Sequence, residues 1–160
     1  MREITSLPTR PRTHGHKTTC GIVASQVNPD HVQALVNAAT MELRNLAPNV
    51  VLTLVPVPGA FEIPYGIRIL LSEKKVDVII ALGVIIEGET DHARLIGDSV
   101  TYAIHRLALD SGVPIIHGIV SAKSVEQADA RCMDPDNNRG IEAARAAIEM
   151  ARLLDEHRKE

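Results

Sequence analysis

Four short apolar segments alternate with helical patterns along this chain, and this alternation restricts the fold more than any other feature. The segments are rich in Val and Ile and cover residues 19–25, 50–57, 77–84 and 114–120. Each is apolar at nearly every position, as in strands that are buried on both faces of a sheet. Such strands, when they alternate with helices, form parallel sheets. The sequence therefore predicts an α/β fold.

Helix signals lie between and after these segments. Asn28 is predicted as the N-cap of the first helix, with Pro29 at its first position. Ser124 and Gln127 form a capping box for a short fourth helix. The other helices are predicted at about 61–73, from Thr90 to Gly112, and from 139 to about 157. With right-handed crossovers, these elements form a flavodoxin-like doubly wound domain, in which helices flank a four-stranded parallel sheet.

A length of 160 residues fits one domain with a sizeable core. Residues 1–18 are predicted as a flexible N-terminal tail, because they hold two prolines and several basic residues and have little to bury. Residues 19–158 form the single domain. His14 and His16 in the tail could bind a metal ion, but a solvated tail is the favoured interpretation.

Composition excludes several classes of function. The net charge of -3 argues against a nucleic-acid-binding surface. Cys20 and Cys132 lie far apart, which favours two free thiols in a reducing compartment. No apolar run approaches the ~20 residues of a membrane span, and the N-terminus lacks the apolar core of a signal peptide. A cytoplasmic protein without a membrane or nucleic-acid partner is expected.

The strongest functional signal follows the third strand. The apolar run ends in an acidic loop that contains glycine, and a helix begins at Thr90, Asp91 and His92. Unpaired N–H groups at a helix start bind anions, and His92 would place a proton donor or acceptor beside them. A surface histidine, or a metal site made by Glu87, Glu89, Asp91 and His92, is the alternative. An anion site without a metal is the prediction, because alternate residues could bind one metal ion only if the loop were extended.

Familiar nucleotide motifs are missing from the strand ends. No GxGxxG follows the first strand, and no GxxxxGK[ST] occurs, so dinucleotide and P-loop sites are unsupported. Ligands of a doubly wound sheet bind outside the carboxyl ends of the strands. The segments at those ends are 26–28, 58–62, 85–92 and 121–123.

The loops and their order resemble the 6,7-dimethyl-8-ribityllumazine synthase family of riboflavin biosynthesis. The segments that carry the resemblance are VPGAFEIP at 57–64, ALGVIIEGETDH at 81–92, GVPII at 112–116, EQA at 126–128 with Arg131, NRG at 138–140, and EAA at 142–144 through to Glu149-Met150. Together they span about residues 20–154, nearly the whole predicted domain.

The resemblance implies a transferase that works without a cofactor. The family condenses 5-amino-6-ribitylaminouracil with 3,4-dihydroxy-2-butanone 4-phosphate, and releases phosphate and water. By resemblance, His92 transfers protons, and phosphate binds at Glu89 and Thr90 with Arg131 of a neighbouring subunit. The implied contacts to the other substrate are Asn28, Ala60, Phe61, Glu62, Ile85, Ile86 and, from the neighbour, Arg139, where the family usually has Lys.

Three positions depart from the family pattern. Val27 stands where an aromatic ring stacks on the uracil, and His117 stands where the adjacent subunit supplies another ring. Ala93 replaces an aromatic or acidic residue. The phosphate side is thus intact, whereas the pyrimidine side is altered. The alternative function is a non-catalytic or substrate-altered paralogue that forms a shell or binds a flavin or another ligand.

A homopentamer, or an icosahedral shell of pentamers, is also implied, because the family's site lies between neighbouring subunits. The segment 132–140 has no obvious insertion, which allows a closed shell. The helical residues Leu35, Ile96, Ile104 and Leu107 are expected to leave one apolar face free for contact between subunits.

Overall fold

The computed structural model describes residues 7–73 and 75–159. Four strands are present in this part of the chain: β1 (Thr19–Ser25), β2 (Val51–Val57), β3 (Val78–Ile86) and β4 (Ile115–Ala122). The helices are α1 (Pro29–Leu46), α2 (Ile63–Glu73), α3 (His92–Ser111), α4 (Val125–Cys132) and α5 (Arg139–Arg158), and a 3-10 turn, Ala60–Glu62, precedes α2.

The strands form one parallel sheet in the order β2-β1-β3-β4. This confirms the predicted doubly wound α/β fold. All four carboxyl ends lie at the same edge of the sheet, and the winding reverses between β1 and β3. A crevice forms at such a reversal, because the loops after the two strands diverge to opposite faces.

Two apolar layers enclose the sheet. Helices α1, α4 and α5 cover one face, where Leu35, Leu43 and Ile148 are fully buried. Helices α2 and α3 cover the other face, where Ile63 and Ile67 are fully buried. The core is therefore aliphatic, as a chain with 2% aromatic residues requires.

The residues predicted to leave an apolar face free belong to these layers instead. Leu35 is 0% and Ile104 is 2% exposed, and Ile96 and Leu107 pack against the second layer. That prediction is wrong because the helices use this stripe to cover the sheet. The exposed large apolar side chains of α3 are Leu95, Tyr102 and Leu109.

Asn28 also differs from its predicted role. It occupies the N-cap position of α1 in a left-handed conformation, with φ 55°, and its side chain makes no capping hydrogen bond. Its Nδ2 instead donates to the backbone oxygen of Val84 in β3, at 2.9 Å. The loop after β1 is thereby tied to the neighbouring strand at the switch point of the sheet.

The predicted N-terminal tail has more to bury than its composition indicates. Residues 1–6 lie outside the described residues, and residues 7–18 contain no helix or strand. His14 is 4% and Thr18 is 2% exposed, so the premise that little is buried is wrong here. The backbone N–H of His14 donates to Leu46 at the end of α1, and Arg145 of α5 donates to the backbone oxygen of Pro8.

The start of α5 is fixed by a side-chain cap and by close helix packing. Asn138 Oδ1 accepts hydrogen bonds from the N–H groups of Gly140 and Ile141, a cap worth about 1 kcal/mol. A Cβ at Gly140 would lie 2.4 Å from the Leu35 oxygen, so only glycine allows this approach to α1. Half of the capping box predicted for α4 is present: Ser124 Oγ accepts from the N–H of Gln127, whereas Gln127 Oε1 accepts from the N–H of Lys123 and not from that of Ser124.

Across residues 7–73 and 75–159, no helix combines the length and the apolar composition needed to cross a membrane.

Candidate active site

A cavity of about 780 Å³ lies at the carboxyl edge of the sheet, where the loops after β1, β2 and β3 meet. It brings together nine of the predicted site residues: Val27, Asn28, Ala60, Phe61, Glu62, Ile85, Ile86, Thr90 and His92. Sequence reasoning did not assign the other lining residues, among them Gly59, Leu95 and Ile96. This volume is in the range of small-molecule sites.

The apolar part of the cavity has a buried floor and an exposed rim. Ile85 is 9% exposed and belongs to β3, which runs two residues further than predicted, to Ile86. Val27 and Phe61 are 54% and 62% exposed. Large apolar side chains left open around a cavity mark a binding surface, because burial by a ligand would remove them from water.

The start of α3 supplies the polar end of the cavity. His92 is its first residue, two positions after the predicted start at Thr90, and its N–H faces Thr90 Oγ1 at 3.4 Å. Asp91 precedes it at the N-cap position but makes no side-chain cap, and its carboxylate lies 3.6 Å from Arg94. The side chain of Asp91 therefore does not compete with a ligand for the first N–H groups, which favour an anion. Glu89 is exposed in the same loop but does not line the cavity.

His117, Arg131 and Arg139 do not line this cavity within one chain. His117 lies in β4, and its Nε2 is 2.9 Å from Thr101 Oγ1 of α3. Burial, reinforced by the charge of Arg139, lowers the pKa of His117 although a backbone hydrogen bond opposes the shift. His117 borders a second cavity, of about 550 Å³, between α3 and β4.

Arg131 and Arg139 meet at a carboxylate that sequence reasoning did not assign. Glu142 Oε2 accepts from Arg131 Nη2 at 2.8 Å and from Arg139 Nη1 at 2.7 Å. Glu142 is 8% exposed. Burial raises its pKa, but the hydrogen bonds and charges of the two arginines outweigh burial, so the pKa lies below its ordinary value. The available signal was the i, i+3 spacing of Arg139 and Glu142 in the first turn of α5.

Known proteins give the same assignment as the sequence motifs. The family model of 6,7-dimethyl-8-ribityllumazine synthase matches residues 17–155. The chain belongs to this lumazine synthase family. It is 40% identical over 143 residues to the 6,7-dimethyl-8-ribityllumazine synthase of Polaromonas sp. (strain JS666 / ATCC BAA-500), covering 89% of this chain and 90% of that one.

Two further lumazine synthases show similar agreement. That of Nitrosospira multiformis is 39% identical over 156 residues, with 94% of each chain covered. That of Azoarcus sp. (strain BH72) is 38% identical over 143 residues, with 88% of each chain covered. The lumazine synthase match includes the cavity, the start of α3 and the arginines of α4 and α5.

Proposed function

We propose that this chain catalyses the lumazine synthase reaction, in which 5-amino-6-ribitylaminouracil and 3,4-dihydroxy-2-butanone 4-phosphate condense without a cofactor. The observation that carries the proposal is the cavity that joins a helix start without an Asp91 side-chain cap, with His92 on its first turn, to an apolar cleft. Family membership supports the same reaction.

The two ends of the cavity suit the two substrates. The phosphate group of the butanone binds the N–H groups at Thr90 and the start of α3, with Glu89 in the same loop. The uracil ring lies against Val27, Ile85 and Ile86, with Asn28 as a polar contact. The ribityl chain lies along the segment Ala60–Glu62. Holding two reactants in one cavity supplies much of the acceleration, because it removes the entropy cost of their encounter.

The reaction forms an imine between the pyrimidine amine and the ketone, expels phosphate, and closes the second ring. His92 is the group that moves protons, since an imidazole nitrogen can donate or accept a proton and this side chain lies beside the anion site. Phosphate departure requires positive charge, which the helix start supplies together with Arg131 of a neighbouring subunit. Arg139 and His117 of that neighbour complete the pyrimidine side.

A homopentamer, alone or as part of an icosahedral shell, is the assembly we propose. Leu95, Tyr102 and Leu109 support it, because they are 58%, 71% and 71% exposed and recur at intervals of seven residues on α3. A heptad spacing places them on one face of the helix, where a neighbouring copy would cover them. A cytoplasmic location is supported by the free, buried thiols of Cys20 and Cys132.

A two-substrate assay tests the proposal. The purified protein is incubated with both compounds, and product formation is followed by the absorbance of the lumazine together with phosphate release. Stoichiometric formation of both products is expected. Binding of the pyrimidine without turnover would contradict the enzyme and support the altered paralogue, for which Val27 and His117 would be the cause.

The phosphate site is tested separately by thermal melts with inorganic phosphate. Phosphate is expected to stabilise the wild type, because a ligand that binds only the folded state raises its melting temperature. Arg131→Ala is expected to lose most of this effect. Arg145→Ala is the matched control, since Arg145 also pairs with a buried glutamate, Glu42, but lies outside the proposed site.

A further inference from the structure

The guanidinium of Arg131 is held in one orientation by its terminal nitrogens. Nη1 donates to Glu142 Oε1 at 3.0 Å and to Asn137 at its backbone oxygen and its Oδ1, while Nη2 donates to Glu142 Oε2 at 2.8 Å. These hydrogen bonds occupy the edge of the guanidinium that lies between Nη1 and Nη2, which we call the end-on edge. A guanidinium carries five N–H groups in a rigid plane. Its second two-donor edge, formed by Nε and the outer N–H of Nη2, is not used by Glu142 or Asn137.

The same carboxylate also holds Arg139. Nη1 of Arg139 donates to Glu142 Oε2, and Nη2 donates to the backbone oxygen of His117 in β4. Glu142 is thus the common partner of both arginines that the proposed function assigns to the site. It lies on the first turn of α5, which the Asn138 cap and the close approach of Gly140 to α1 hold in place.

We infer that Glu142 is a positioning residue: it occupies the end-on edge of Arg131, directs the remaining edge of that guanidinium toward the substrate phosphate, and fixes Arg139 beside β4. This inference rests on the proposed function. An arginine that presents a two-donor edge binds a phosphate in two parallel hydrogen bonds, whereas a freely rotating one acts only as a diffuse charge.

When Glu142 is replaced by a neutral residue, the change in charge and the loss of orientation affect phosphate binding in opposite directions, so the inference can be tested. Removing the negative charge of Glu142 leaves the local field more positive, and a more positive field by itself strengthens phosphate binding. Loss of orientation weakens phosphate binding. Glu142→Asp separates the two effects most sharply, because it retains the charge but is one methylene too short to reach both guanidinium groups.

The experiment measures steady-state kinetics for both substrates and thermal melts with inorganic phosphate, using the full-length wild type, Glu142→Asp and Glu142→Gln. Both variants are expected to raise KM for the butanone phosphate about tenfold while kcat falls less than about threefold, because uniform binding is lost. Phosphate should stabilise both variants less than it stabilises the wild type. KM for the pyrimidine should rise less than KM for the phosphate substrate.

Glu42→Gln is the matched control. Glu42 is 7% exposed and binds two arginines, Arg10 and Arg145, but it lies on α1 away from the proposed site. The Glu42→Gln substitution should lower the melting temperature without changing KM for either substrate. A purely structural role for Glu142 would give the same result in its variants, and so would overturn the inference.

Arg131→Lys provides a test that does not depend on the folding of a Glu142 variant. A lysine keeps the charge but has no second edge, so its ammonium group should pair with Glu142 and phosphate stabilisation should be lost. Phosphate binding that equals the wild type in Arg131→Lys, or stronger binding in Glu142→Gln, would refute the positioning role. A wild type that binds phosphate but makes no lumazine would refute the proposed function alone, and the melts would still decide the role of Glu142.

Discussion

His92 and the helix start beneath it perform separate tasks in the proposed site, although they are neighbours in the chain. The N–H groups at the start of α3 are fixed by the backbone and need no side chain to attract an anion. The imidazole of His92 is exposed and lines the cavity, where it can reach a substrate. Proton transfer and anion binding should therefore be separable by substitution.

We expect His92→Ala to lower kcat by roughly a hundredfold or more, the usual contribution of a general acid–base group. Stabilisation by inorganic phosphate should remain, because the backbone groups are unchanged. The measurements are steady-state kinetics and thermal melts, with His157→Ala, an exposed histidine near the end of α5, as the control. Wild-type turnover in a folded His92→Ala protein would contradict the assigned role.

Val27→Phe should tighten binding of the pyrimidine. Val27 is more than half exposed at the rim of the cavity, so a larger side chain has room there. A ring stacked on the uracil adds on the order of 1 kcal/mol, which is about a fivefold gain in affinity. Titration calorimetry with a ribityl-uracil analogue measures the change. Weaker binding to a folded Val27→Phe protein would show that the cavity is shaped for a different ligand.

At the scale of elements, the strands were predictable from their apolar runs and their alternation with helices. Burial on both faces was predicted for all four strands and is wrong for β2, because β2 lies at the edge of the sheet and leaves Val51 and Leu54 44% and 54% exposed. The cavity was predictable in outline, since its loops follow those strands. The role of Asn28 was not predictable, because a local sequence pattern cannot show that its side-chain amide reaches the backbone oxygen of Val84 on the neighbouring strand. Glu142 was missed for a similar reason: its partner Arg131 lies on another helix, and only the fold brings the two together.

The N-terminal segment is the element whose packing departs most from expectation. Its buried residue His14 lies between the ends of α1 and α5, with Nε2 3.2 Å from the carboxylate of Asp155. Burial lowers the pKa of His14; Asp155 opposes this, while Arg152 and His16 reinforce it. The packing of the N-terminal segment therefore favours the neutral form of the His14 imidazole.

This packing predicts a loss of stability on mild acidification. The folded pKa of His14 lies below the unfolded value of about 6.5, so its contribution to the free energy of unfolding is complete above that value and falls as the pH decreases toward the folded pKa. The melting temperature of His14→Gln should decline less than that of the wild type between about pH 7 and pH 5.5. His117 shifts in the same direction, so a partial effect is expected. Parallel pH profiles of the wild type and His14→Gln would contradict the packing role.

At the scale of the whole molecule, one chain holds the parts of the proposed site in two places. His92 and the apolar cleft line one cavity, whereas Arg131 and Arg139 are held together at Glu142 and do not line it. If neighbouring copies complete each other's sites, a monomer would be inactive. The exposed stripe of Leu95, Tyr102 and Leu109 on α3 offers a surface for such contact.

A shared site predicts that two inactive variants restore each other. Assemblies of His92→Ala chains alone or of Arg131→Ala chains alone should have little activity. The two variants are expressed together, each with its own tag, and assemblies that contain both chains are purified through both tags. A shared site is then intact wherever an Arg131→Ala chain supplies His92 and a neighbouring His92→Ala chain supplies Arg131. Random assortment around a ring makes roughly a quarter of the interfaces intact, so about a quarter of wild-type activity is expected. Light scattering of the same samples at micromolar protein should show at least a pentamer. A folded, active monomer, or mixed assemblies no more active than the separate variants, would mean that each site lies within a single chain.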